Sequence, residues 1–194
     1  MHSQLTEDMI CTLVTGRRSP PCFLRLTTKE YVRSETMSEQ MPSMDGLHQP
    51  PETIVSLLSL VRENLQMDVA FVSEFAADQL VFRALEGDAR SFGWREGEGI
   101  PLDESYCKRV LDGRLPNVVP DARRQDSTKE LWVTREANIG SYVAVPVVLS
   151  DGRPYGTLCC VSHKADPGLR ERELGLMEGV ARELSRQIQR EGLR

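Results

Sequence analysis

Residues 141–162 read SYVAVPVVLSDGRPYGTLCCVS, two apolar runs separated by the segment SDGRP. Both runs are rich in β-branched and aromatic residues, and Asp151-Gly152 is a strong hairpin signal because a tight turn needs residues that tolerate positive φ. Strands joined by so short a turn must be antiparallel. Cys159 and Cys160 are neighbours on the returning strand, so their side chains face opposite sides of the sheet.

Upstream, "DVAFVSEF" (68–75) places Val69, Phe71 and Ser73 on one face of a strand, with Ala70, Val72 and Glu74 on the other. The turn "AADQ" and a second strand "LVFRALEG" complete another antiparallel hairpin. Ile54, Leu58, Val61 and Leu65 form one apolar stripe, which predicts a helix before the first strand. Residues 87–102, "GDARSFGWREGEGIPL", are glycine-rich and irregular. A short helix "ESYCKRVLDG" follows, with Asp103 or Ser105 as cap and Gly113 at its end. "LPNVVPDA" is a brief strand, and residues 122–138 read as polar loop with a helical turn. The last helix is expected from Leu169 to about Arg190, with Leu174, Met177, Ala181, Leu184 and Ile188 three and four apart. Strands follow strands here, which predicts an α+β fold with a mainly antiparallel sheet.

The chain has 194 residues, room for one compact domain and an extension. Residues 1–50 lack sustained apolar periodicity and are expected to be a flexible tail, with the domain at 51–194. Met37, Met41 and Met44 offer alternative starts within that tail. The hydrophobic share of 40% and charged share of 27% argue against disorder throughout. Lys and Arg total 24 against 29 Asp and Glu, formally −5, which argues against a general nucleic-acid binder. No run approaches the roughly 18 apolar residues that span a bilayer. With no secretory pattern at the N-terminus, the expected location is cytoplasmic, without membrane association. The five cysteines include no CxxC pair, so reduced thiols are expected rather than disulfides.

At this point the chain resembles the GAF domain family. The family's late hairpin has an apolar strand ending in Val-Pro, an Asp-Gly turn and a return opened by Gly-Thr-Leu. Here Val145-Pro146, Asp151-Gly152 and Gly156-Thr157-Leu158 occupy those places. "LPNVVPDAR" is similar to the family's short strand ending in Asp, here Asp121, and "DESYCKRVLDGR" to the helix before it. The likeness runs from about residue 52 to 190 and is strongest to modules attached to bacterial signalling outputs; no output domain is expected within these 194 residues. The resemblance implies a six-stranded antiparallel sheet with the N- and C-terminal helices on one face. Loops and short helices would enclose a pocket on the other. It also implies a sensing or dimerisation module. Ligands across the family range from cyclic nucleotides to bilins, haem and small metabolites, and fold alone does not choose among them.

Cys107 lies where a bilin-binding relative has its attachment cysteine, but Lys108 follows instead of His, so bilin attachment is not expected. His163 is the only histidine within the domain and stands at a strand end, which leaves haem or a metal without a ligand set. No cofactor is required. Cys159 and Cys160 read first as strand-packing residues, and a redox role for them or Cys107 is the minor alternative. Neither a GxSxG nor a P-loop is present, so the chain is read as non-catalytic.

The better ligand-site candidates are Phe71, Phe92, Trp94, Tyr106, Cys107, Asp121, Trp132 and Tyr142, with Thr134 and Ser141 as further polar groups. The same residues would also fill a second core under the loops. Leu57, Leu60 and Leu176 widen the apolar faces of the terminal helices, which suits a homodimer or a separate output protein as partner. Three readings result: a cytosolic small-molecule sensor, a ligand-free interaction module, and a cysteine-based redox enzyme.

Overall fold

The computed structural model describes residues 50–191, so the expected tail at 1–50 lies almost wholly outside the described residues. The chain runs α1 (Glu52–Leu65), β1 (Val69–Ala76), β2 (Gln79–Gly87), β3 (Gly99–Pro101), α2 (Tyr106–Leu111), β4 (Val118–Val119), α3 (Trp132–Glu136), β5 (Ser141–Val148), β6 (Pro154–Ser162) and α4 (Leu174–Glu191). Single turns of tighter helix at Ala89–Phe92, Leu102–Glu104 and Glu171–Glu173 join these elements. The sheet order is β3-β2-β1-β6-β5-β4, with every neighbouring pair antiparallel. Six strands and an α+β architecture agree with the sequence reading. Among the described residues no helix is long and apolar enough to cross a membrane.

The β5–β6 hairpin forms as read, with Gly152 at φ +85 and the Asp151 carboxylate accepting from the Arg153 N–H at 3.0 Å. Glycine is required in β6 for a different reason. A Cβ at Gly156 would lie 1.8 Å from the Ser73 carbonyl oxygen, so the pairing of β6 with β1 depends on its absence.

α1 buries Ile54, Leu58, Val61 and Leu65, the stripe seen in the sequence. α4 starts at Leu174, later than expected. Leu169 remains buried upstream of it, and the Glu173 carboxylate accepts from the Arg170 N–H at the turn that begins the helix. Both helices lie on one face of the sheet against Ala70, Val72, Ala84, Val143, Val145, Leu158 and Cys160. Their apolar stripes are used for this packing, as amphipathic helices normally are. Leu57 and Leu176 are half-buried, while Leu60 remains 44% exposed.

The opposite face carries Val69, Phe71, Leu80, Phe82, Tyr142, Ala144, Cys159 and Val161. Its cover consists of the 89–92 turn, Trp94, α2, residues 115–122 and α3. The segment read as irregular, 87–102, contains β3, which pairs Gly99–Pro101 with Val81–Gln79 and closes that edge of the sheet.

Candidate functional site

The loop-side face is built around two groups of side chains. Phe71, Phe82, Trp94 and Phe92 form a chain of rings with successive centroids 4.9–5.3 Å apart. These spacings are the ordinary range for aromatic pairs. Phe92 also stacks on His163 at 3.8 Å. The histidine's Nδ1 lies 3.0 Å from the Asn138 carbonyl oxygen, and its Nε2 lies 3.0 Å from Ser91 Oγ. His163, at the strand end read from the sequence, is half-buried and joins the end of β6 to two covering loops.

The second group centres on α2. Ser105 is its N-cap, accepting from the Lys108 N–H at 3.2 Å. The cap directs Tyr106, Cys107 and Val110 inward. Tyr106 meets Tyr142 edge to face at 4.9 Å, and its hydroxyl lies 2.5 Å from Thr134 Oγ1. Thr134 has one hydroxyl proton, which it gives to the Thr128 carbonyl at 2.5 Å, so it accepts from Tyr106. Burial pushes the Tyr106 phenol above its ordinary range, partly offset by its hydrogen bonds with Thr134 and Thr128.

Beneath α2 stand two thiols. Cys107 Sγ and Cys159 Sγ are 3.4 Å apart and both are buried. The Tyr142 hydroxyl donates to Cys107 at 3.4 Å and lies 3.5 Å from Cys159. Cys159 donates to Thr157 Oγ1 at 3.2 Å, and Thr157 Oγ1 is 2.9 Å from Ser73 Oγ. Burial drives the Tyr142 phenol well above its ordinary range, and the neighbouring thiols push it the same way. Cys160 lies on the other face, 3.9 Å from the Met177 sulfur, where burial raises its thiol and the charge of Arg62 opposes this only in part.

A cavity of about 20 Å³ lies between these groups, bordered by Phe71, Trp94, Tyr106, Cys107 and Tyr142. That is room for roughly one water, whereas small-molecule pockets run to roughly 300–1,000 Å³. Five of the eight ligand-site residues expected from sequence therefore border one space.

The other three stand apart. Phe92 is buried behind Trp94 against His163. Asp121 is half-buried and its carboxylate accepts from the Arg123 N–H at 3.2 Å, a turn contact. Trp132, the first residue of α3, is 47% exposed. Ser141 is directed elsewhere, donating to the Lys164 carbonyl at 2.8 Å. Ser73 and Thr157 were missed as site residues, although they are register partners and Thr157 shares a face with Cys159 two residues on. Among the described residues, no three His, Cys, Asp or Glu side chains come together as a metal site.

A family model described as "GAF domain" matches residues 50–188. Solved structures share this fold at low sequence identity. The GAF domain from Acinetobacter phosphoenolpyruvate-protein phosphotransferase has a TM-score of 0.56 at 15% identity, covering 72% of this chain and 81% of its own. The blue-light absorbing form of the Thermosynechococcus elongatus PixJ GAF domain has 0.53 at 20% identity, covering 72% and 88%. The GAF-B domain of DevS from Mycobacterium smegmatis has 0.51 at 19% identity, covering 72% and 93%. No curated protein matches the sequence significantly.

Proposed function

Because the chain belongs to the GAF domain family, we propose that it is a non-catalytic sensory domain of the cytoplasm. It binds a small molecule under the loop-side cover and passes occupancy to its terminal helices. Domains of this family are generally sensory or regulatory, and the neighbour PixJ is described in a light-absorbing form. One juxtaposition supports the reading. The side chains of Phe71, Trp94, Tyr106, Tyr142 and Cys107 border one small, largely apolar cavity beneath separately anchored loops. Ligand contacts would favour a more open arrangement of residues 87–102 and 122–138, a shift of population between two loop states. The response then reaches a homodimer partner or a separate output protein through α1 and α4.

Native mass spectrometry with a visible absorption spectrum tests this directly. Added mass that leaves on denaturation identifies a retained metabolite, and a visible band identifies a chromophore. The sensor reading also expects slower tryptic cleavage at Arg90 and Arg95 with ligand. Unchanged cleavage across a metabolite panel, on protein bare of added mass, would remove it.

A ligand-free interaction module is the second reading. It draws on the near-filled cavity and on Leu60, exposed on α1. Its mark is a stable dimer or partner complex whose mass distribution no metabolite alters.

A further inference from the structure

We propose that Cys107 and Cys159 are a redox-modified pair that closes to a reversible disulfide when hydrogen peroxide reaches the loop-side core. The two thiols come from α2 and the middle of β6, 52 residues apart in sequence, yet their sulfurs are 3.4 Å apart. A disulfide bond is about 2.05 Å long, so closure asks for less than about 1.5 Å of combined sulfur movement.

The surroundings distinguish this pair from thiols that merely fill space. Cys160 shows the ordinary pattern of a buried cysteine: aliphatic neighbours, a methionine sulfur at 3.9 Å and no hydroxyl. Three hydroxyls, those of Ser73, Thr157 and Tyr142, surround Cys107 and Cys159 within the aromatic core instead. In the reduced pair Cys159 gives its proton to Thr157, and Tyr142 donates to Cys107. The Cys107 proton has beside it the Cys159 sulfur, a weak acceptor, at 3.4 Å. Loss of the Cys107 proton resolves this, because the donors can turn toward it: Ser73 to Thr157, Thr157 to Cys159, and Cys159 together with Tyr142 to the Cys107 thiolate. Burial opposes that thiolate, but hydrogen bonds from Cys159, Thr157, Tyr142 and Ser73 outweigh it and hold the Cys107 thiol below its ordinary value. Burial and the adjacent Cys107 push the Cys159 thiol up, so Cys159 keeps its proton.

Cys107 is therefore the attacking sulfur and Cys159 the resolving one. The thiolate attacks one oxygen of hydrogen peroxide, the O–O bond breaks, and hydroxide leaves to be protonated to water. Cys107 is left as a sulfenic acid. The Cys159 sulfur then attacks the Cys107 sulfur, the S–O bond breaks, and the hydroxyl leaves as water with the Cys159 proton. Two thiols lose two electrons and two protons, and one peroxide becomes two waters. The cavity beside Cys107 has room for about one water-sized molecule, which disfavours bulkier organic hydroperoxides relative to hydrogen peroxide. The bond would tie α2 to the centre of the sheet. This inference needs no ligand and stands apart from the sensor reading.

The test uses the full chain with Cys11, Cys22 and Cys160 replaced by alanine, checked for folding by circular dichroism, and treated with hydrogen peroxide. The expected product has lost two hydrogens by intact mass and regains them with dithiothreitol. Peptide mapping joins the Cys107 peptide to the Cys159 peptide. Adding Cys159→Ala should trap the sulfenic acid on Cys107, captured by dimedone. Wild-type chain mapped by tandem fragmentation gives the same answer should the variant not fold. Thiols that survive peroxide in the folded protein, or that gain oxygens without linking, overturn the proposal, as does dimedone captured on Cys159 of a Cys107→Ala chain at an equal rate.

Discussion

The two faces of the sheet are built from different materials. The helix side is aliphatic apart from Tyr155, Cys160 and two methionines, and is covered by helices of 14 and 18 residues whose buried positions repeat every three or four residues. The loop side holds six aromatic residues, two thiols and several hydroxyls, and its helical covers are four, six and five residues long. Isolated helices shorter than about 12–15 residues are marginal in water. The short covers are therefore held by particular side-chain bonds. Thr128 to the Ala122 carbonyl, Thr134 to Thr128 and Arg123 to the carbonyls of Asn138 and His163 are the clearest. A face anchored by periodic burial has no second arrangement of comparable energy, whereas a face anchored by a few polar contacts can open locally while the other persists. On this argument the two faces open separately, the loop side at lower cost than the helix side.

The largest test of that division deletes core volume from each side. Leu184→Ala on the helix side should cost about 2–5 kcal/mol, and Phe82→Ala on the loop side about 3–5 kcal/mol, in urea titrations. Both side chains are almost fully buried, so the size of the loss does not separate the faces. Its shape does. Leu184→Ala should lower far-ultraviolet dichroism and Trp94 fluorescence in one transition. Phe82→Ala should let fluorescence change first, since Trp94 stacks on Phe82 at 5.1 Å. Coincident transitions in both variants would make the two faces one cooperative unit.

A smaller lesion sharpens the same point. Thr134→Val keeps the side-chain volume but removes the acceptor for Tyr106 and the donor to the Thr128 carbonyl. Leaving buried polar groups unmatched costs about 1–3 kcal/mol. Amide exchange should accelerate over residues 122–138 and stay unchanged in α1 and α4. Equal acceleration in the helices would break the comparison.

The legible half of the fold is the half with long repeats. An eight-residue strand displays its alternation four times and an eighteen-residue helix turns five times, so β1, β5, β6, α1 and the body of α4 could be read directly. β3 could not, because a three-residue strand with one apolar side chain, Ile100, has no period. Trp132 was misleading for a related reason. A helix of five residues barely exceeds one turn, so nothing in its sequence tells which side it buries, and its tryptophan faces outward. Asp121 belongs to turn geometry, which the same Pro-Asp pair signals as readily as a site. At the cavity, residue types pointed to Phe71, Trp94, Tyr106, Cys107 and Tyr142. The approach of Cys107 to Cys159 depends on the path of loops between α2 and β6, and no local pattern encodes that path.

Alkaline pH probes the loop side through Tyr142. Its folded phenol lies well above the ordinary value near 10, so between those two values the native state holds a proton that the unfolded chain has released. Stability from this group is complete below pH 10 and falls as pH rises above it, by at most about 1.4 kcal/mol per pH unit. The Cys159 thiol is raised as well and acts in the same direction from a lower starting pH near 9. Tyr142→Phe should therefore flatten the loss of stability between pH 10 and 11 in urea midpoints. An unchanged slope would show that the phenol is not held in its neutral form by this core.

The smallest expected effect on folding is also the one that bears on partners. Leu58 and Leu60 stand two residues apart on α1, the first fully buried against the sheet and the second 44% exposed. Leu60→Glu removes no core contact, so its stability at high dilution should stay within about 0.5 kcal/mol of wild type. In a two-fold symmetric dimer through the terminal helices, however, each change appears on both sides of one interface, and two carboxylates are brought into an apolar contact. If the wild type sediments as a dimer at a given concentration, Leu60→Glu at that concentration should sediment as a monomer. A dimer that survives the substitution would move the interface off this face of α1. The half-buried Leu57 and Leu176 would then belong to the packing between helices and sheet alone.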